Sequence, residues 1–265
     1  MSLIYIYCIA MGIKGNELFT KNLAVSKINH IEILLFKDIQ AVISIVDYEE
    51  FNENKIKEQL NKLEWVEEKA FAHENIIEEI MGNYPVVPMQ FCTIYKSKEN
   101  LLDFLEDYYD QIKYYLSLAA TNQEWGVKVY CNTDMLKERI LEKQTFRDEL
   151  NSINKKSTGI AFMLNKKFQE KIDNCIQDTI NGDVQHIFEE VNTTLENVII
   201  KEIQNSDFVE KKIVLNIVAL LSRNKYENFT KIIDALSDKY NNYGYAIETN
   251  GPWPIYNFIS FTVKT

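Results

Sequence analysis

An imidazole beside a carboxylate is the simplest pairing for moving a proton, and the chain offers one at His73-Glu74. Adjacent residues on a helix point about 100° apart, however, so the two cannot act on one proton together. His73 also falls on the apolar stripe of its segment, which favours a hydrogen-bonded core or interface histidine over an acid-base catalyst. Cys92 is the second reactive candidate. Its setting, Phe91-Cys92-Thr93-Ile94-Tyr95, supplies no neighbouring base or cation to lower the thiol pKa, and a strand cysteine is the better reading. The three histidines, His30, His73 and His186, are too scattered to imply a zinc site, and Glu49-Glu50, Glu67-Glu68 and Glu189-Glu190 lack the spacing of a calcium loop. No metal or cofactor is expected. Phosphate loops, dinucleotide fingerprints and nucleophile elbows are also absent from the sequence.

The elements that would carry these residues follow from hydrophobic periodicity. Leu3 to Ile9 reads as a strand, and Ile31 to Phe36 and Ile39 to Val46 form a tight hairpin about Lys37-Asp38. Helical segments follow, one with Val66, Ala70, His73, Ile77 and Ile80 on one face and Gly82 at its end. Ser97 caps a single long helix whose stripe runs from Leu101 to Ala119.

After a break at Thr121-Asn122, Trp125 to Cys131 returns to strand alternation. A second apolar stripe takes in Val184, Ile187, Phe188, Val191, Leu195 and Val198. Then come a buried strand at Lys212 to Leu221, a helix opened by Asn224, and strands at Tyr243 to Glu248 and Tyr256 to Val263. These elements predict an α+β chain of two domains, residues 1–121 and 122–265. Each would be a mixed or antiparallel sheet with packed helices on one face, the C-terminal domain a modified ferredoxin-like fold.

Composition narrows the partners. The 265 residues hold 29 basic and 39 acidic side chains, a net charge of -10 that disfavours nucleic acid and anionic membrane surfaces. A hydrophobic content of 46% is ample for real cores. The apolar run Leu3 to Met11 has no preceding Lys or Arg and is too short to cross a bilayer, so the chain is read as cytoplasmic. Four dispersed cysteines fit a reducing compartment. Most of the 15 Tyr and 14 Phe are expected to fill cores, and surface members would suit protein binding.

Five stretches taken in order carry a further signal. They are Tyr5-Ile6-Tyr7-Cys8-Ile9, Trp65 with His73-Glu74, Pro88-Met89-Gln90-Phe91-Cys92-Thr93, Glu124-Trp125-Gly126-Val127-Lys128-Val129, and Gly251-Pro252-Trp253-Pro254-Ile255-Tyr256-Asn257-Phe258. From end to end the chain resembles the gas vesicle protein F/L family. That family more often has Arg and Gly where this chain has Gln90 and Cys92, and Thr and Pro where it has Asn250 and Ile255. No charged contact is therefore carried over to Gln90, and Cys92 lacks a glycine's backbone freedom.

The resemblance implies a gas vesicle-associated accessory role, with contacts to the hydrophobic shell protein and to other accessory proteins, and no catalysis. No nucleic acid, membrane or small molecule is expected as partner. The partner-binding or structural signature it implies is Phe91, Thr93, His73, Trp125, Gly251, Pro252, Trp253, Pro254, Tyr256 and Phe258. Within the last run, Gly251 turns the chain, the prolines stiffen it and Trp253 plugs a core, making a rigid corner between two strands. The rival reading is a small-molecule enzyme or ligand-sensing regulatory protein with its site in an interdomain cleft.

Overall fold

The computed structural model describes residues 2–14, 25, 30–203 and 211–261, and the chain divides into two compact units. The first takes residues 1–124 and 252–265, the second Trp125–Gly251. The sequence pattern alone puts residues 122–265 in one domain. The C-terminal segment instead returns to the first unit, because Tyr256, Ile259 and Phe261 find apolar partners there.

The first unit opens with β1 (Ser2–Ala10), followed by the hairpin β2 (Ile31–Phe36) and β3 (Ile39–Asp47). Phe36 pairs with Ile39, so the turn is Lys37-Asp38, with Lys37 at φ 52°. Helices α1 (Tyr48–Phe51), α2 (Glu53–Gln59) and α3 (Leu63–Met81) lead to two short strands, β4 (Val86–Pro88) and β5 (Ile94–Tyr95). The sheet order is β2-β3-β1-β4, with β5 also pairing on β1 and every pair antiparallel.

A bulge in β1, where the pairing shifts between Ile6 and Cys8, reverses the alternation of faces. Tyr5, Tyr7, Cys8 and Ala10 therefore all enter one core, with α3, while Ile6 and Ile9 enter the other. That second core is closed by α4 (Lys98–Asp107) and α5 (Tyr109–Thr121). Helices thus cover both faces of this sheet, not one as the sequence suggested, because β1 is apolar on both sides. Ser97 does cap α4, accepting from the Asn100 amide, but the expected single helix is broken at Tyr108.

The second unit runs β6 (Asn122–Cys131), α6 (Thr133–Glu142), α7 (Gln144–Asn154), α8 (Thr158–Asn192), β7 (Leu195–Ile200), β8 (Lys212–Ser222), α9 (Tyr226–Asn241) and β9 (Tyr245–Trp253). The sheet order is β7-β8-β6-β9. Counted within the unit this is 2-3-1-4, the ferredoxin-like order, with α6 and α7 elaborating the first crossover. One core lies beneath it, containing Val127, Val129, Ile217 and Phe229.

Several local expectations are corrected. Leu195 and Val198 lie in β7, not on the preceding helix, because the Thr193 and Thr194 hydroxyls donate to the Glu190 and Val191 carbonyls and end α8. A 3-10 turn, Arg223–Lys225, precedes α9, so Asn224 is not its cap. The strand expected at Tyr256 to Val263 is a 3-10 turn, Tyr256–Phe258, with non-strand backbone through residue 261; positions 262 and 263 lie outside the described residues.

Helix α8 is about 52 Å long at 1.5 Å per residue. Its buried residues begin only at Phe168, which packs on Phe146 with ring centroids 6.1 Å apart. Phe162, six positions earlier, is 76% exposed. Phe168→Ala is expected to cost about 3–5 kcal/mol and Phe162→Ala less than about 0.5 kcal/mol in urea unfolding. Equal costs would contradict this placement.

Candidate functional site

Three distant segments of the first unit converge at the far edge of β1. The connection between β4 and β5 leaves the sheet as a turn, closed by the Thr93 amide donating to the Gln90 carbonyl at 3.0 Å. The Thr93 hydroxyl donates to the same carbonyl at 2.6 Å. Cys92 occupies the third position of this turn with φ 64°, where a type II turn favours glycine. The chain accepts the strain because both sides of the turn are tied to β1. The Met89 amide donates to the Tyr7 carbonyl at 2.9 Å, and the Ile6 amide donates to the Thr93 carbonyl at 3.1 Å.

Beneath the turn runs a buried relay. His73 Nε2 lies 3.0 Å from the Met89 carbonyl, an acceptor only, so Nε2 carries the ring proton. Nδ1 must then accept, and the Tyr5 hydroxyl donates to it at 2.9 Å. The Tyr5 oxygen in turn accepts the Cys92 amide at 3.2 Å. Burial is the main cause that lowers the His73 pKa, to about 4, and the bond to Met89 opposes it. Burial likewise pushes the Tyr5 hydroxyl well above its ordinary value and the Cys92 thiol up to about 11. At neutral pH the histidine is uncharged and the cysteine is a thiol, so neither is poised as base or nucleophile.

The C-terminal segment seals the other side. The Tyr256 hydroxyl donates to Glu74 Oε1 at 2.9 Å, and burial raises the Glu74 pKa. Glu124, itself buried, accepts from the Asn257 amide at 2.9 Å and from its side chain at 2.6 Å. Further on, the Tyr115 hydroxyl donates to the Ser260 carbonyl, and Phe261 packs edge-on against Phe104, Tyr108 and Tyr115. Between the turn and this segment opens a cleft of about 450 Å³, lined by Pro88, Met89, Gln90, Thr93, Phe104, Tyr108, Tyr256, Ile259, Ser260 and Phe261. Aromatic and aliphatic side chains share its lining with the polar Gln90, Thr93 and Ser260.

The structure brings together some of the residues expected from sequence and separates others. Phe91, Thr93, His73 and Tyr256 meet here; Phe91 stands 5.8 Å from the His73 ring and 6.2 Å from Trp65. Phe258 is half-buried in the 3-10 turn and does not line the cleft. Trp125 belongs to the second unit, against Tyr226 and Phe229. Gly251, Pro252 and Trp253 end β9 as exposed residues, and only Pro254 and Ile255 of that run are buried.

Trp253, 43% exposed, therefore plugs no core, and the run is not a corner between strands. The apolar anchor is Ile255, 2% exposed. Gly251 has φ 144°, a conformation that an L side chain resists. Phe104, Tyr108, Ile259 and Phe261 were missed as site residues. In sequence they read as helix stripe or strand, and only the return of the C-terminus makes them a wall. Among the described residues no group of His, Cys, Asp or Glu could hold a metal ion, and no helix is long and apolar enough to cross a membrane.

Whole-chain comparison supplies the class. Residues 3–260 match the family model described as gas vesicle synthesis protein GvpL/GvpF, and the chain belongs to that family. Gas vesicle protein L of Streptomyces sp. (strain CB03234) is similar, with 22% identity over 228 residues that cover 85% of this chain and 82% of the relative. The crystal structure of GvpF from Anabaena sp. PCC7120 shares the fold with a TM-score of 0.70 at 14% identity, covering 99% of this chain and 98% of that one. GvpF from Microcystis aeruginosa gives 0.65 at 14% identity, covering 97% and 98%.

Two measurements check the relay. A histidine held at about 4 when folded and about 6.5 when unfolded binds its proton more readily in the unfolded chain. Its contribution is complete above pH 6.5 and is lost as pH falls toward 4, on the order of 3 kcal/mol in all. Urea titrations across that window should show the loss, and His73→Gln should flatten the slope whatever its own stability. At the turn, Cys92→Gly is expected to hold or raise stability by up to about 1 kcal/mol, and Cys92→Val to lower it by about 2 kcal/mol. The reverse ranking would refute a strained left-handed Cys92.

Proposed function

We propose that this member of the gas vesicle synthesis family is a non-catalytic accessory factor that works in the cytoplasm. It binds the hydrophobic shell protein, together with other accessory proteins, through the cleft of its first unit, and so aids nucleation or formation of the vesicle. The observation that carries this reading is convergence. Two signature stretches, through Pro88, Met89, Gln90, Thr93 and Tyr256, line an open cleft with Phe104 and Tyr108, while the nearby His73 ring is neutral, buried and held by two hydrogen bonds.

Such a cleft suits an apolar segment that must be kept from aggregating. Aromatic walls supply contact area at small entropic cost, and Gln90, Thr93 and Ser260 can pair with backbone polar groups at the lip. The acidic exterior keeps the carrier itself soluble.

Gln90 is exposed at the cleft, so Gln90→Trp fills the space without disturbing either core. This variant should keep the parent's melting temperature, capture at least about tenfold less shell protein on co-purification, a loss of about 1.4 kcal/mol, and fail to restore vesicles in a deletion strain. Undiminished capture would remove the cleft from the binding surface. Normal vesicles in the deletion strain itself would remove the accessory role.

A further inference from the structure

Two exposed helical surfaces of this chain are complementary to each other. The first is the start of α8. Its opening ten residues, Thr158 to Lys167, contribute nothing fully buried, and Ile160, Phe162 and Met163 are 53%, 76% and 67% exposed. At 100° per residue these three and Lys166 and Lys167 fall within about half of the helix circumference. Lys155 and Lys156 stand exposed just before the helix. Residues 150–169 contain these four lysines and no acidic residue, in a chain of net charge -10. None of the four ammonium groups is paired with a carboxylate among the described residues.

The second surface is the outer face of α3. Leu63 is 79% exposed and Phe71 65%, and on the same half of the helix lie Glu64, Glu67, Glu68 and Glu78. The one lysine of that helix, Lys69, points inward with its side chain 8% exposed, beside Glu50 and Glu68. The face therefore presents two large apolar side chains in an acidic field.

We infer that the chain associates with itself head to tail, the basic apolar start of α8 in one copy docking on the acidic apolar face of α3 in the next. Each surface supplies what the other lacks, apolar contact at the centre and opposite charge around it. Because the two patches differ, the contact is heterologous, and a dimer keeps one unused patch of each kind, the α3 patch on one copy and the α8 patch on the other. Association then continues past the dimer into closed rings or open chains. A multivalent array of accessory proteins is the consequence, built from residues other than those of the cleft.

Sedimentation velocity of the purified full chain, without shell protein, tests this independently of the proposed cleft function. The wild type should grow beyond two copies with concentration, and raising ionic strength from low to about 0.5 M should weaken association about tenfold. Phe162→Ser with Met163→Ser should stay monomeric, as should Leu63→Ser with Phe71→Ser; all four positions are exposed, and melting curves verify folding. Mixed together, the two variants should form a dimer and stop, since only one intact patch of each kind remains to meet. A monomeric wild type, association by either variant alone, or a mixture that stays monomeric overturns the inference. A monomeric wild type captured by phosphatidylglycerol vesicles would assign the α8 surface to lipid instead.

Discussion

The hydroxyl of Tyr5 holds three parts of the chain at one atom. It donates to His73 on α3 and accepts from the amide of Cys92 in the turn after β4, while its own backbone sits in the central strand. His73 passes the constraint on by donating to the Met89 carbonyl on the other side of the same turn. Each of these groups is removed from water, and a buried donor or acceptor left without its partner costs about 1–3 kcal/mol. Strand, helix and turn are therefore positioned together, and the position of the turn determines where the cleft opens.

A bulge then decides which residues of β1 join that face. Without the shift between Ile6 and Cys8, strict alternation would send the second half of β1 to the opposite faces. Tyr5 and Tyr7 share a face by ordinary alternation and stand 4.9 Å apart, with the His73 ring 5.7 Å from each, and the shift brings Cys8 and Ala10 to the same side. The other face remains wholly apolar and receives α4 and α5. One side of the sheet holds a polar network inside an aromatic core, and the other supplies ordinary packing and the far wall of the cleft.

Reactive residue types in this protein serve geometry. His73 is neutral because its burial opposes a charge, and Cys92 is a turn residue whose thiol burial keeps protonated. Glu74 and Glu124 bind the returning C-terminal segment through Tyr256 and Asn257. The exposed apolar side chains at the start of α8 and on the outer face of α3 each stand among charges of one sign.

By itself the sequence determined the α+β class, the Lys37-Asp38 hairpin, the Ser97 cap and the core place of His73, because each depends on local periodicity or on one residue's side-chain chemistry. It placed Leu195 and Val198 on a helix and ran one helix through Tyr108, because an apolar stripe continues across a break, the first of which is set by two threonine hydroxyls. Only the tertiary structure decided that Trp253 stays at the surface while Ile255 anchors, and that Phe104, Tyr108 and Phe261 face one space. The reason is physical: which apolar residue becomes buried depends on contacts between segments as far apart as Glu124 and Asn257, and no local pattern records a pairing across 133 positions.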